Sequence, residues 1–534
     1  MATTWTIAID WDRDGDYGGT YDDVSSRVIS ANWFLGLRQP YKDTADNSIL
    51  TLMLDNSDKR FSPENAGSVL TGNVRPFKPV RIQSDDGTTV RTHWLGWIDS
   101  IEPTVGQYGE RLVEIKANGP MQFYKAAEVD LELQENKRTD EIIEALIKQV
   151  VMPPALTQSW VLGREGNSEI GQTTRLAAIS ASTNLGSAEA TGTLTLQMAA
   201  DNWVRRGGHT DLSKDSFDVY RAIGDITAAE RGRFLFSREG KALFWNRHRL
   251  LDDDTIQTTL DDTMTNMTYV YSGLEQIKNE VIVICHPRTI SEADDQTLWE
   301  LGDAIIRVQT GNTRTIYVKY QDEDGNRIGG RDIQVDDLQF QQGTATATVE
   351  DKATSTELIF DNTTGEKDAI VTKCVIKGRK ITDFNQMEAK STDQNSIVDY
   401  GRRTLRINLP SIDDLDAAQS IANFERRRRA QPRGDVTAVT LMSHGKNGGG
   451  QHAHQLARTL GDRIVIKETQ AYHGQGTDYE TSAGYFIIGE AHKLSAGATL
   501  LETTWYLEPV PTGFPWKLGV TGRSEIGETT TLTY

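Results

Sequence analysis

Thr4–Asp10 reads TWTIAID, Ser48–Asn56 SILTLMLDN, Lys78–Ser84 KPVRIQS, Arg91–Pro103 RTHWLGWIDSIEP and Arg111–Asn118 RLVEIKAN. Each is a short alternating run set off by turn residues, and a side-chain period of two is that of a strand with one buried face. From Trp5 to about Gly119 their spacing predicts a barrel or a sandwich.

The pattern changes at Arg138–Val151, RTDEIIEALIKQVV, where Ile142, Ile143, Leu146 and Val150 recur at helical spacing. Thr139 suits the N-cap and acidic residues fill the first turn. A second helix is expected over Ser216–Glu230, with Phe217, Tyr220, Ile223 and Ile226 three residues apart. Directly after it, RFLFSREGKALFWNR reads as a hairpin turning at Arg238-Glu239-Gly240. NEVIVICHP opens a further β stretch, and residues 303–378 read as a separate β unit with DEDGN and NTTGE as turns. Ile412–Arg429 reads as a helix ended by Pro432. The segments DVTAVTLMS, GDRIVIKET, GYFIIGEAHKLS and ATLLETTWYLEP return to strands.

The chain is thus expected to be mainly β with minor α and to hold several domains, as 534 residues exceed one core. The limits read from the pattern are 1–125 for a β-barrel-like domain and 126–272 for a mixed helix and hairpin domain. A second β domain takes 273–302 and 379–442, with an inserted β-sandwich-like unit at 303–378, and a C-terminal β domain takes 443–534.

Composition narrows function. A net charge of −19 repels a phosphate backbone, so tight nucleic-acid binding is not expected, while a passage that DNA crosses without sticking is compatible. Cys285 and Cys374 are the only cysteines and sit in apolar runs, which predicts buried free thiols rather than a bridge. No run reaches the roughly 20 apolar residues of a membrane helix, and the N-terminus lacks a basic-then-apolar signal. The chain is therefore expected to start soluble.

One internal repeat stands out. Trp160–Leu176, WVLGREGNSEIGQTTRL, matches Trp516–Leu532, WKLGVTGRSEIGETTTL, at eleven of seventeen positions, 356 residues apart. Two readings stand: a duplicated structural hairpin, or two equivalent hairpins contacting one kind of partner through Trp160, Leu162, Gly163 and Glu169 and through Trp516, Leu518, Gly519 and Glu525.

Asp10, Asp12, Asp14 and Asp16 alternate around Gly15 in IDWDRDGDYGGTYDD, the opening of a calcium loop. Tyr21 stands where the bidentate Glu of an EF-hand belongs, so the choice lies between a Ca²⁺ site of another type and an Asp-rich turn bonding its own backbone. Arg426, Arg427, Arg428 and Arg429 end the helix at 412–429, either on a solvated face or at a subunit interface. His444, His452 and His454 fall in SHGKNGGGQHAH, read as a glycine-rich surface loop rather than a metal site. His286 follows Cys285, and adjacent strand residues face opposite ways, so that pair is structural. No nucleophile elbow, phosphate loop or zinc-protease motif is present, no cofactor is required, and no enzymatic role is expected.

The run IDWDRDGDYGGTYDDVSSRV, then LTLMLDNSDKRFSPENAGSVLTGNVRPFKPVRIQ and LGWIDSIEP, resembles the first domain of minor tail proteins of long-tailed bacteriophages. SFDVYRAIGDITAAERGRFLFSREGKALFWNR resembles their helix-plus-hairpin element. SIVDYGRRTLRINLP, the arginine-ended helix, LGDRIVIKE and the strand ending in WYLEP resemble their closing domain. The phrases cover about half of the chain, and in this order they resemble the baseplate hub, or tail-tip hub, of a tailed phage. That resemblance implies two tube-like β-barrel domains per chain and a homotrimer acting as a six-fold ring. It also implies a place in the virion at the distal tail end, with distal tail, tape-measure and tip or fibre proteins as neighbours and DNA crossing the lumen without specific binding. Two rival readings stand beside it: a receptor- or glycan-binding tail protein using Trp203, Trp245 and Trp516, and a tail-associated cell-wall hydrolase.

Overall fold

The computed structural model describes residues 3–105, 111–129, 139–148, 150, 218–245, 255–271, 273–322, 325–326, 328–351, 354–409, 412, 414–444, 450–475, 483–510, 514–515 and 530–531. The N-terminal runs form six strands: β1 (Thr4–Ile9), β2 (Val28–Gly36), β3 (Ile49–Asp55), β4 (Pro79–Asp85), β5 (Val90–Pro103) and β6 (Leu112–Asn118). They pair in the order β1-β4-β5-β6-β3-β2, every neighbour antiparallel. Trp5, Ile7 and Ile9, then Leu50, Leu52 and Leu54, then Val113, Ile115 and Ala117 enter one core. Each such aliphatic side chain contributes about 1.5–3 kcal/mol on burial, and a one-residue slip would turn a whole strand's set outward. No ladder joins β1 to β2. The segment between them returns to β1 instead, where Ile9 N–H donates to Asp22 O and Val24 N–H to Ile7 O.

A helical layer follows: α1 (Met121–Ala126), α2 (Thr139–Lys148) and α3 (Val219–Glu230). The predicted periodicity is the packed face, since Ile142, Ile143, Leu146 and Val150 share a core with Val219, Ala222, Ile223 and Ile226. Thr139 begins α2, and its hydroxyl donates to Glu230 Oε2 at 3.2 Å. Asp218 caps α3 by accepting from Arg221 N–H, worth about 1 kcal/mol. Arg231 then takes a left-handed conformation at φ 56°, where the helix ends and the chain turns into a hairpin. Its strands are β7 (Arg233–Phe236) and β8 (Ala242–Trp245), joined across Arg238-Glu239-Gly240 as expected. Two further strands, β9 (Ile256–Leu260) and β10 (Asn266–Tyr271), come next.

After β11 (Glu280–Cys285) the chain departs to build a two-sheet sandwich. One sheet gathers β12 (Arg288–Ile290), β13 (Gln296–Glu300), β14 (Ile306–Val308), β16 (Gly329–Gln342) and β19 (Ala369–Asp383). The other holds β15 (Thr313–Lys319), β17 (Thr346–Asp351) and β18 (Ser355–Asp361). Leu298, Val318, Tyr320, Phe360, Val371 and Cys374 fill the space between them. The unit therefore takes in residues 288–302 and 379–383, outside the limits 303–378 read from the pattern. Long β19 supplies the backbone partner for β12 and β13, a non-local pairing that strand patterns do not carry. The chain returns as β20 (Met387–Thr392) and β21 (Thr404–Asn408), which flank β11 on either side. The short helix α4 (Gln394–Tyr400) connects β20 to β21, and after β21 α5 (Leu415–Arg429) lays Ala418, Ile421 and Ala422 on this sheet.

The last strands are β22 (Gly434–His444), β23 (Arg463–Ile466), β24 (Gly484–Ser495) and β25 (Leu500–Pro509), with α6 (Gly450–Ala457) after β22. They combine with β9 and β10 in the order β9-β23-β24-β25-β22-β10. Numbered within its own module, this order is 1-4-5-6-3-2, the same as in β1–β6. Strand 5 even carries its register shift at the same place relative to strand 6, between Ile98 and Ser100 in β5 and between Ile487 and Gly489 in β24. One pairing differs, since β9 runs parallel to β23 where β1 is antiparallel to β4. The limits expected at 272/273 and 442/443 thus cut through one module, because β9, β10 and β22 pair with strands far along the chain.

Candidate functional site: the seam between the modules

The two modules are one continuous sheet. β24 gives one edge wholly to β25 and divides the other: Gly484–Phe486 pair with β23, and beyond the bulge Gly489–Leu494 pair with Gly36–Ala31 of β2. The bulge is where one strand partner hands over to the next, a recurring use of bulges at sheet boundaries. Gly36 sits at φ +85°, and a Cβ on Gly489 would lie 2.0 Å from the Leu37 carbonyl oxygen, so the backbones meet here only as glycines.

The seam is lined by buried polar groups. Trp33 lies opposite His492 and stacks on it, with centroids 4.9 Å apart and planes 14° from parallel. Glu490 accepts from Arg238 Nε at 2.6 Å and lies 3.2 Å from His492 Nε2, while the Arg238 guanidinium also donates to the Leu456 and Arg458 carbonyls. Burial pushes the His492 imidazole down against the pull of Glu490, and it lowers His93, 6.2 Å from His492, well below the usual range. Burial raises Glu490, but Arg238 outweighs it and holds the carboxyl well below its ordinary value.

A second network ties the hairpin, α5 and β25 together. Glu508 takes both oxygens to Arg233 at 2.9 and 3.0 Å, accepts from Arg428 at 2.9 Å and accepts the Tyr41 N–H at 3.0 Å. Glu425 joins Arg231 and Arg429. Burial raises both carboxyls, yet the guanidiniums win and hold each at about 2. Buried ions of this kind fix geometry more surely than they add stability, because removing one partner strands the other.

This geometry accounts for the arginine run. Arg428 and Arg429 lie over the Tyr41 ring at 4.5 and 4.3 Å, and Arg426 donates to Ser391 Oγ at 2.9 Å. Three of the four are engaged within the chain, and Arg427 alone is exposed. Neither a solvated face nor a neighbour's charge is needed to explain those three. The network partners Glu425, Glu490 and Glu508 are not legible in the sequence, since nothing local separates them from the other acidic residues.

In the acidic loop, ligand atoms of Asp10, Asp12 and Asp14 lie within 4.8 Å of one another, without Asp16. Asp10 is buried and spends its oxygens on the N–H groups of Arg13 and Gly15 at 2.6 and 3.0 Å, while Asp16 accepts from Tyr17 and Gly18 N–H. Burial raises the Asp10 carboxyl to about 6. These are the bonds of an Asx-type turn.

His452 and His454 lie on α6 rather than in a loop: Gln455 and Leu456 are buried, and a helix collects them on one face. His452 bonds the hydroxyls of Thr3 and Ser443, each at 2.7 Å, and His454 faces Thr258 at 3.2 Å. Cys285 and Cys374 are both buried and form no disulfide. Trp245 is buried in the hairpin, so it offers no face to a sugar. Trp160, Leu162, Gly163, Glu169, Trp516, Leu518, Gly519, Glu525 and Trp203 lie outside the described residues. Phe514–Pro515, just before the second repeat, pair with Thr530–Thr531 near its end. No helix among the described residues is long and apolar enough to cross a membrane.

No protein-family model matches the chain, and no curated protein matches it. Among solved structures it is similar to a tail protein from Neisseria meningitidis MC58, with 9% identity and a TM-score of 0.44, over 95% of this chain and 96% of that one. It is also similar to the 43 kDa tail protein of prophage MuSo2 from Shewanella oneidensis, with 9% identity and a TM-score of 0.40, over 94% and 97%. A third is the E. coli c3393 protein, described as a type VI secretion component similar to the T4 tail proteins gp27 and gp5, with 9% identity and a TM-score of 0.31, over 93% and 84%.

Proposed function

We propose that this chain is the structural hub of a phage tail tip, three copies forming a ring at the distal end of the tail tube. The observation that carries the reading is the repeated module: one chain supplies two six-stranded units of the same strand order, fused through an antiparallel ladder. Three such chains present six equivalent units, which suits an adaptor between a six-fold tube and a three-fold tip. The ordered resemblance of the N-terminal, hairpin and closing segments to tail-tip hubs supports the same assignment. A net charge of −19 suits a lumen that tape measure and DNA cross without binding. In this reading the sandwich at Arg288–Asp383, with exposed Ile305 and Tyr317, stands on the outside and meets neighbouring tail or host components. The protein works by assembly, with no reaction and no required cofactor. Labelling the protein in purified particles tests its place: signal at the distal tail end is expected, and signal confined to capsid or fibres overturns the reading.

A further inference from the structure

Within one chain, strand 2 of the first module pairs with strand 5 of the second. The reverse pairing, strand 2 of the second module with strand 5 of the first, is not made. Both edges it requires are open among the described residues. β10 is bonded to β22 on one edge only, and β5 beyond its bulge is bonded to β6 only, because β4 coverage ends as Ile98 exchanges bonds with Phe77 and Lys78.

Resting on the ring assigned above, we propose that the open edge of β10 pairs antiparallel with the open half-edge of β5, Ser100–Glu102, in a second copy of this chain. The internal seam supplies the register. Aligning the two modules on their strand-5 bulges makes Ser100, Ile101 and Glu102 the counterparts of Gly489, Glu490 and Ala491, which face Gly36, Leu35 and Phe34. Carrying β2 onto β10 through their ladders with β3 and β22 puts Tyr271 against Ser100, Val270 against Ile101 and Tyr269 against Glu102.

The β10 edge has the character of a strand meant to be covered. Its sequence NMTYVY carries no charge and no proline, the usual devices that keep an edge from pairing, and Tyr271 is 65% exposed. The occupant is a second copy rather than an unrelated partner, because the same chain already shows the complementary ladder. Such a contact is head-to-tail, so it propagates around a ring instead of stopping at a dimer.

Cysteine pairs test it: Val270→Cys with Ile101→Cys, and the flanking pairs Tyr271→Cys with Ser100→Cys and Tyr269→Cys with Glu102→Cys, which sample both the hydrogen-bonded and the non-hydrogen-bonded positions of the same register. Two single variants mixed and mildly oxidised are expected to give a dimer band on a non-reducing gel in at least one pair. Each single variant alone and the parent chain, whose Cys285 and Cys374 are buried, are expected to give none. The double variant of that pair is expected to give a ladder ending at three. Tyr271→Glu, which sets an acid beside Asp99 and Glu102, is expected to raise the concentration for assembly on the order of tenfold while leaving far-UV circular dichroism unchanged. A trimer that cross-links in none of the pairs overturns this seam and leaves the hub reading intact. A cross-linked ladder running past three supports the seam and contradicts the trimeric ring. A single variant that links to itself, or a chain that neither assembles nor cross-links, overturns the seam.

Discussion

The two modules share a strand order but not a way of being encoded. The first is continuous, six strands within Thr4–Asn118; the second is gathered from Ile256–Tyr271, Gly434–His444 and Arg463–Pro509. The difference lies in one connection. Between strands 2 and 3 the first module has a short link from Gly36 to Ile49, whereas the second module carries the β11 sheet, the sandwich and α5 between Tyr271 and Gly434. A sheet whose ladders are complete tolerates a large insertion at one such point, since closing a longer loop costs only about 0.6 kcal/mol per doubling of length. Buried ions accompany the scattered module: Glu490 and Glu508 both lie in it, with Arg233 and Arg238 reaching in from the hairpin.

The comparison breaks most sharply at Glu508. Glu508→Ala takes away the buried carboxylate that Arg233 and Arg428 share, leaving Arg233 only Asp43 at 3.5 Å, and is expected to cost about 3–5 kcal/mol in urea unfolding. Asn118→Ala, at the corresponding place in β6, is expected to cost about 1 kcal/mol or less. Equal losses would show that the ion network does not distinguish the modules. At the seam, Gly489→Ala drives a methyl into the Leu37 carbonyl and is expected to cost about 3 kcal/mol, read from the same curves. Its counterpart Ser100→Ala is expected to change stability by about 0.5 kcal/mol or less.

Acid sharpens the contrast further. His93 and His492 have folded values below the ordinary 6.5, so the unfolded chain takes up protons first, and stability is lost as pH falls below about 6.5. Glu425 and Glu508 sit at about 2 against an unfolded 4.5, so the stability they lend is full above 4.5 and disappears as pH falls from there toward 2. Melting temperature against pH is therefore expected to fall in two stages, and Glu508→Ala is expected to remove part of the second stage only. The smallest effect concerns the links between strands 1 and 2, acidic in both modules as Asp10–Asp16 and Asp261–Asp262. With Asp10 already bonded to backbone N–H groups, millimolar Ca²⁺ is expected to move the melting temperature by no more than Mg²⁺ does. A rise specific to Ca²⁺ and abolished by Asp12→Asn would assign a calcium site to the first module.

Local chemistry made much of this legible. Alternation in SILTLMLDN and RLVEIKAN, the helical period of Ile142, Ile143 and Leu146, and the hairpin around Gly240 all reappear as elements, because each is governed by residues within a few positions of one another. What the sequence did not disclose is non-local. β9 and β10 carry the same alternation whether they pair with β8 or with strands 163 to 207 residues away, as they do. The β16 run GGRDIQVDDLQFQQ is too polar to announce itself, though it is the longest partner of β19. Arg428 and Arg429 read as surface charges because Glu425 is near in sequence but Glu508 is not.

The central claim is that two equivalent modules per chain make three chains a six-position ring. Native mass spectrometry of the purified 59.4 kDa chain tests it most directly. A closed species of three times that mass, falling apart to monomer without stable dimer, is the predicted result. A chain that stays monomeric at every concentration, or a closed dimer or tetramer, contradicts it.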